Sequence, residues 1–266
     1  MHLIFKDFGS PETLMDRDLT DIEDDYRTIV NLLTDQIEFA NVIVLNKIDL
    51  VSKDHLGILN AAIQKLNPSS KIIETSHIKI EPDEILNTGL FNFEEAEKSA
   101  DWIEELNKSE HTPETEEYGI SSFVFRSQKP FSAKRFWDFV QTKFPTIIIR
   151  SKGLFWMSSR PTKTLNWSQA GGSLKADSAG VWWCSMAFEK RTQYLSFIEN
   201  QKTIESGWDK TFGDRKNEIV FIGQDMDQDQ ILSELNLCLL SDEELNTINL
   251  ETGYEYEWPV PRAYAL

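Results

Sequence analysis

An unbroken apolar run, VIVL at Val42–Leu45, is the feature that most limits what this chain can fold into. Strands covered on both faces of a parallel sheet read as continuous Val, Ile and Leu runs. Helical patterns lie on both sides of the run, and KIIET at Lys71–Thr75 predicts a second short strand. This helix–strand–helix–strand series predicts an α/β layer with a parallel sheet.

The flanking helices have start signals in the sequence. Thr20 and Glu23 form a capping-box pattern, which predicts one amphipathic helix from Thr20 to Phe39. Ser52 is placed to cap the second helix, which should end at Asn67, just before Pro68. Its predicted inward residues are Leu56, Leu59, Ile63 and Leu66.

The chain changes character after the second strand. Residues 81–117 are acidic, and Asn92 with Glu95 predicts another helix through Leu106. The polar stretch NKSEHTPETEEYG offers little to bury and predicts a linker. We therefore expect an α/β unit over 1–107, an acidic linker over 108–118 and a second domain over 119–262.

The second domain is predicted to be α+β, because strand patterns dominate and are interleaved with helices. Predicted strands lie in ISSFVFR, TIIIRSKGLFWMSSR, TLNWSQAGG, SLKADSAGVWWCSM and EIVFIG. Predicted helices are Ser132–Phe144, one from Asp227 through Leu240, and a short one opened by SDEE at Ser241–Glu244.

Asn46, Lys47 and Asp49 directly follow the predicted strand VIVL in an Asn-Lys-x-Asp pattern that suits recognition of guanine. A carboxylate can accept both the N1–H and N2–H₂ donors of guanine, which adenine lacks. The Asn amide can donate to O6 or N7, and the aliphatic stem of Lys can cover the base. Ligands of α/β folds bind at this end of the strands. The alternative is a polar strand-to-helix turn, with Asn and Asp chosen for turn geometry.

The other parts of a GTP site do not follow from the sequence. A phosphate loop has the pattern G-x-x-x-x-G-K-[ST], yet no glycine of this chain is followed by Lys. DSAG at Asp177–Gly180 has the spacing of a switch motif, but it lies in the second domain and is predicted to be a β-turn. The first 110 residues therefore look like the back half of a nucleotide-binding domain, with apolar surface left uncovered.

Composition limits the partners. The formal net charge is −17 and the pI is near 4.7, which argues against binding to nucleic acid or an anionic membrane. The start MHLIFKDFGS lacks the basic region of a signal peptide, and no apolar run approaches the roughly 20 residues of a membrane helix. We expect a cytoplasmic protein whose two cysteines, Cys184 and Cys238, are buried thiols rather than a disulfide.

Several other side chains have open interpretations. His111 is the one histidine of the linker, where a metal site is a weak alternative to a solvated loop. The tryptophans of the second domain fit either core packing or a partner surface; they are Trp156, Trp167, Trp182 and Trp183. Four basic residues near strand ends could face the α/β unit or a client protein, and they are Arg126, Arg150, Lys152 and Arg160.

Long segments from about Asp7 to Pro261 resemble CobW-type metal-trafficking GTPases, a family related to cobalamin-biosynthesis CobW proteins and zinc chaperones. The segments include LTDQIEFANVIVLNKIDLVS, RSKGLFWMSSRP, WSQAGGSLKADSAGVWW, FGDRKNEIVFIGQDMD and LNLCLLSDEEL. The resemblance implies a partial P-loop GTPase domain, its C-terminal half, followed by a CobW C-terminal α+β domain. It also implies that the chain is N-terminally truncated.

The resemblance assigns the guanine base to Asn46, Lys47 and Asp49, with Ser76 and His77 as neighbours of the base. Relatives bind GTP and Mg²⁺ and carry zinc or a similar metal on a Cys-x-Cys-Cys motif. Neither that motif nor a phosphate loop occurs in these 266 residues, so no catalytic or metal-ligating residue is assigned.

The resemblance therefore implies a partial GTP-binding metallochaperone that serves a client metalloprotein and needs the phosphate-binding half for GTP hydrolysis. The alternative is a non-enzymatic protein-interaction module that retains the C-terminal domain.

Overall fold

The computed structural model describes residues 14–16, 28–91 and 117–256. The first long part is a small α/β unit with four main elements: α1 (Ile29–Phe39), β1 (Val42–Leu45), α2 (Lys53–Leu66) and β2 (Lys71–Glu74). β1 and β2 pair in parallel, with Val42 opposite Lys71 and Leu45 opposite Glu74. The predicted parallel pair is confirmed.

The second helix follows its sequence signals closely. The Ser52 hydroxyl accepts a hydrogen bond from the His55 N–H, and the helix ends at Asn67. Asn67 is buried, and its side-chain amide donates to the carbonyls of Ile37 and Ala40 at the end of α1. One side chain thus closes α2 and joins it to α1.

The first helix begins later than predicted. Thr28 has extended φ/ψ angles and its hydroxyl accepts from the Asn31 N–H, so α1 begins at Ile29. A single helix from Thr20 is therefore wrong, because an extended N-cap interrupts it; Thr20 and Glu23 lie outside the described residues. VIVL is also less covered than predicted, since Val44 is 38% exposed.

Residues 120–224 carry a five-stranded sheet in the order β3-β7-β4-β5-β6, in which every pair is antiparallel. All five predicted strand segments are confirmed. The strands are β3 (Ile120–Ser127), β4 (Ile148–Phe155), β5 (Lys163–Ala170), β6 (Ser173–Val181) and β7 (Asn217–Gln224).

In the described part of the chain from residue 117 onward, five α-helices accompany this sheet, and three of them were predicted. The Ser132, Asp227 and Ser241 side chains cap the N-termini of three helices, as expected. The Asp227 helix ends at Leu237 rather than Leu240, because the backbone beyond it pairs with residues 130–132: the Leu240 N–H donates to the Pro130 carbonyl, and the Cys238 carbonyl accepts from the Ser132 N–H. The helices are α3 (Ala133–Thr142), α4 (Phe188–Arg191), α5 (Leu195–Ser206), α6 (Gln228–Leu237) and α7 (Asp242–Leu245).

Both faces of the five-stranded sheet are covered at strand β7. Ile219 and Phe221 of β7 belong to a large aromatic core with α3 and α6. The alternate residues, Val220 and Ile222, point to the opposite face, because successive side chains of a strand alternate. There they pack with Ala62 and Leu66 of α2 and the partly buried Ile37 of α1, so the α/β unit forms the second cover of the sheet.

The DSAG prediction is wrong. Asp177–Gly180 lie inside β6, where Ser178 pairs with Leu165 and Gly180 with Thr164. Ala179 is the extra residue of a β-bulge, which explains how a turn-like composition fits within a strand. The helix predicted from Asn92 through Leu106, and the linker apart from its last two residues, lie outside the described residues.

Candidate functional site

The Asn-Lys-x-Asp segment follows the carboxyl end of β1. Lys47 adopts left-handed φ/ψ angles of 63° and 34°, and Ile48–Leu50 form a single 3₁₀ turn that leads to α2. A left-handed non-glycine residue is uncommon and costs about 1 kcal/mol or more, so surrounding contacts must hold it. Asn46 is half-buried, whereas the side chains of Lys47 and Asp49 are exposed.

The end of β2 lies beside this segment. The Ile78 N–H donates to Asn46 Oδ1 at 3.1 Å, and the Ile48 N–H donates to the Thr75 carbonyl at 3.4 Å. The buried Thr75 closes its own loop by donating from Oγ1 to the Lys79 carbonyl. His77 and Ile78 both have positive φ, at 59° and 55°. The structure thus brings Ser76 and His77 into the loop that is bonded to Asn46.

The arrangement leaves Asp49 available to a ligand. Within residues 28–91 and 117–256, no hydrogen bond or ion pair joins the Asp49 carboxylate or the Lys47 ammonium to another side chain. An exposed carboxylate with free lone pairs can accept two parallel N–H donors. The Asn46 amide, held through Oδ1, keeps its NH₂ donors for a further acceptor.

The described residues show no metal-binding cluster: no three His, Cys, Asp or Glu side chains converge there. The two cysteines are free thiols, and burial is the main reason that the pKa of each is raised to about 11. Hydrogen bonding to Asp214 adds to the effect at Cys184, and the charge of Glu234 adds to it at Cys238. Cys238 is buried and Cys184 is half-buried.

The tryptophans mostly belong to the core. Trp156, Trp167 and Trp182 are buried, which confirms core packing for these three. Trp183 is half-buried and packs against the rings of Tyr194 and Phe197.

Among the residues that the structure describes, no helix is long and apolar enough to cross a membrane.

Two of the four basic residues do face the α/β unit. Arg150 donates from Nε and NH2 to the carboxylate of Glu38 in α1, at 2.6 and 3.2 Å, and Lys152 Nζ contacts the same carboxylate at 3.2 Å. Arg126 instead forms an ion pair with Glu218 of the neighbouring strand, and Arg160 donates to the Tyr256 carbonyl.

Glu38 is the residue of this cluster that the sequence did not reveal. Burial alone would raise the pKa of its carboxyl, but the charges and hydrogen bonds of Arg150 and Lys152 outweigh burial and lower that pKa. The sequence shows Glu38 only as one polar residue next to the apolar Ile37, and its partners lie more than a hundred positions away.

Two family descriptions match separate parts of the chain. Residues 12–74 match the CobW/HypB/UreG nucleotide-binding domain, and residues 120–239 match the cobalamin synthesis protein cobW C-terminal domain. The first match contains Asn46, Lys47 and Asp49, and the second contains the whole five-stranded sheet.

Curated relatives agree with these matches. Over 241 residues the chain is 39% identical to zinc-regulated GTPase metalloprotein activator 1 of Dictyostelium discoideum, covering 90% of this chain and 50% of that protein. A zinc chaperone of Mycobacterium tuberculosis is 29% identical over 126 residues, which are 47% of this chain and 31% of that protein. The chain thus spans about half the length of the first relative, and its match to the second covers less than a third of that protein.

One solved structure that is similar to this chain is a Zn(II)-bound YjiA GTPase from E. coli. The two chains share 16% sequence identity, and their structures align with a TM-score of 0.34. The alignment covers 78% of this chain and 54% of that one.

Proposed function

Because this chain belongs to the CobW family of metal-trafficking GTPases, we propose that it supplies the guanine-reading end of a GTP site and the C-terminal domain of a cytoplasmic metallochaperone. That metallochaperone delivers zinc or a similar metal to a client metalloprotein. The observation that carries the proposal is the position of Asn46, Lys47 and Asp49 at the carboxyl end of parallel strand β1, bonded to the loop that follows β2.

The division of the chain is part of the proposal. Residues 1–107 act as the C-terminal part of a GTPase domain, 108–118 as a linker and 119–262 as the CobW C-terminal domain. Support comes from the parallel β1–β2 pair on one side and the antiparallel sheet on the other.

Each residue of the motif has a distinct role in this proposal. The exposed Asp49 carboxylate accepts from guanine N1–H and N2–H₂, the Lys47 stem covers the base, and the Asn46 NH₂ group donates to O6 or N7. Ser76 and His77 lie on the loop that Asn46 holds, so they line the opposite side of the base.

The phosphates and Mg²⁺ need a cradle of backbone N–H groups and a Lys that these 266 residues do not contain as a G-x-x-x-x-G-K-[ST] pattern. The backbone N–H groups, the Lys and the metal ion together stabilise the negative charge of the phosphoryl group during its transfer. We therefore expect this chain to bind the base weakly and to leave GTP unhydrolysed.

A nucleotide titration tests the proposal. We expect GMP to bind with Kd on the order of 1 mM, equivalent to about −4 kcal/mol, AMP to bind more weakly, and Mg-GTP to bind no more tightly than GMP. Asp49→Asn should remove the preference for GMP, because an amide cannot accept both donors in the bidentate arrangement. Asp54→Asn, in the first turn of α2, is the control with the same change of charge.

Equal binding of GMP and AMP to the unmodified chain would refute the base site. Micromolar affinity for Mg-GTP, or GTP turnover that persists through purification, would refute the conclusion that this chain has no phosphate-binding cradle.

The second candidate is a protein-interaction module that needs no nucleotide. It is favoured by four exposed apolar or aromatic side chains that lie within eleven residues of sequence around α4 and α5, since such side chains are enriched at protein interfaces; they are Phe188, Tyr194, Leu195 and Ile198. This candidate predicts no guanine preference, so the same titration separates the two.

A further inference from the structure

Glu38 lies at the junction of the two parts of the chain. It occupies the last turn of α1, and its carboxylate is held by Arg150 and Lys152 of β4. The side chains of Arg150 and Glu38 are only 4% and 12% exposed. Arg150 also donates to Ser168 Oγ and the Gln169 carbonyl of β5. These bonds within the sheet fix the orientation of the guanidinium independently of Glu38.

Apolar packing continues this contact along α2. Ala62 and Leu66 are buried against Ile149 of β4 and Val220 of β7. Gly57, one turn from the start of α2, has no side chain, and a Cβ atom there would overlap the ring of Tyr118 at the entrance to β3. Both helices of the α/β unit are therefore seated on the same face of the C-terminal sheet.

The base-reading segment is the connection between these two seated helices. Four residues after Glu38, β1 begins at Val42; it ends at Leu45, and the Asn46–Asp49 segment then leads to Ser52 and α2. Among the described residues β1 has a single strand neighbour, β2, so the sheet of the α/β unit is too small to fix the segment by itself.

We propose that Glu38, clamped by Arg150 and Lys152, is a positioning residue for the guanine-reading segment: the C-terminal sheet holds α1, and α1 sets the position of β1 and residues 46–50. The clamp couples the C-terminal domain to the nucleotide end of the molecule. By linkage, a base bound at Asn46 and Asp49 then tightens the contact between α1 and β4 to the same degree. The consequence for nucleotides rests on the proposed function, whereas the positioning of the segment does not.

Glu38→Gln is the direct test, because it keeps the shape of the side chain and removes the carboxylate that Arg150 and Lys152 share. Arg150 then keeps only the more distant carboxylate contact with Asp35, at 4.0 Å. In the ligand-free protein at neutral pH, we expect the amide protons of Ile48, Leu50 and Ile78 to exchange at least about 5-fold faster, the lower end of typical coupling factors. These N–H groups are hydrogen-bonded in the segment and its partner loop, so their exchange reports its order. The amides of α3, on the far face of the sheet, should keep their rates.

The control is Glu234→Gln, which removes the same charge from an ion pair with Lys143 on the α3–α6 side of the sheet. It should leave the exchange of residues 46–50 unchanged. A milder second variant, Lys152→Met, removes one contact of the clamp and keeps the aliphatic stem, with Lys134→Met in the exposed Lys134–Asp138 pair as its match. Lys152→Met decides the test if Glu38→Gln does not fold.

Unchanged exchange of Ile48, Leu50 and Ile78 in the folded variants would overturn the proposal. Equally faster exchange of the α3 amides would also overturn it, because the clamp would then only contribute to the stability of the whole protein. GMP titration of the same variants should show a Kd raised by a similar factor. Failure of the unmodified chain to bind GMP would refute the base site alone, since the exchange measurement needs no ligand.

Discussion

The side-chain carbonyl of Asn46 accepts a hydrogen bond of 3.1 Å from the backbone N–H of Ile78, 32 residues further along the chain. The bond joins the segments that follow two neighbouring parallel strands. It also turns the NH₂ group of Asn46 away from Ile78, because the two ends of the amide lie on opposite sides. One residue of the predicted motif therefore holds the loop after β2 through its carbonyl, and its NH₂ group points elsewhere.

Asn46→Ala should loosen the loop after β2. Ile78 is β-branched with φ of 55°, a strained conformation that depends on local contacts. Losing this acceptor costs only about 0.5–1.5 kcal/mol of the free energy of unfolding, because water can reach the N–H of the exposed Ile78 and replace it. Hydrogen exchange at the Ile78 amide should accelerate clearly. Asn46→Asp, which keeps an acceptor oxygen, is the control and should preserve the protection; loss of protection in both would show that the oxygen is not what holds the loop.

The sequence was sufficient where short-range rules act. Ser52 and Asn67 mark the ends of α2, because capping needs only local hydrogen bonds. The run Val42–Leu45 and its partner Lys71–Glu74 form the predicted parallel pair, since β-branched residues favour extended backbone even where, as at Val44, the side chain is partly exposed.

Long-range contacts and weak periodicity explain what the sequence did not show. Glu38 and Arg150 pair across 112 positions, and nothing near either residue indicates the other. α5 was not predicted because its apolar residues do not share a buried face: Phe197 is buried while Leu195 and Ile198 are exposed. Interpretation of the base site itself remains a prediction.

Gly153→Ala should destabilise the C-terminal sheet. Gly153 in β4 lies against β7, and a Cβ atom would overlap the Glu218 carbonyl and approach Ile219 Cα. Backbone atoms of a central strand cannot swing aside as a flexible side chain can, so we expect a loss of about 1–3 kcal/mol in the free energy of unfolding, the usual range for overpacking. Urea denaturation measures this value.

Gly207→Ala is the matched control, because a Cβ atom there meets only the Ile204 carbonyl at 3.9 Å. It should change the unfolding free energy by less than about 0.5 kcal/mol, as expected of a surface substitution. Equal stability of the two variants would contradict the close approach of β4 and β7.

Glu244→Gln should remove an acid-sensitive contribution to stability. The two hydrogen bonds from Arg135, with the Ser241 N–H as a further donor, lower the pKa of Glu244 from 4.5 to about 2. A carboxyl whose pKa is lower in the folded state stabilises the protein above its unfolded pKa, and this contribution is lost as pH falls from about 4.5 towards 2. Both side chains are more than a third exposed, so solvent screening reduces the expected effect to about 1 kcal/mol.

Urea unfolding at pH 6.5 and pH 3 checks this expectation. The free energy of unfolding of Glu244→Gln should be lower than that of the original chain at pH 6.5, and the difference should be smaller at pH 3. Glu243→Gln has the same change of charge on the neighbouring residue of α7 and should show no such dependence. A difference that is the same at both pH values would exclude the ionised Glu244–Arg135 pair as its source.

Residues 1–110 expressed alone should aggregate. In the whole chain, Ala62 and Leu66 of α2 are buried against β3, β4 and β7, and removing that sheet exposes them together with Ile37 and Ile58. Leu50, Ile78 and Phe91 are already 75%, 68% and 70% exposed, so the fragment would present large apolar surface on more than one side. The two-stranded parallel sheet and two helices that the structure describes in this part of the chain are also too small to compensate. We expect binding of a hydrophobic dye, a broad profile in size-exclusion chromatography and no cooperative thermal transition, with the whole chain as the control. A monomeric fragment that melts cooperatively would show that the α/β unit does not depend on the C-terminal sheet.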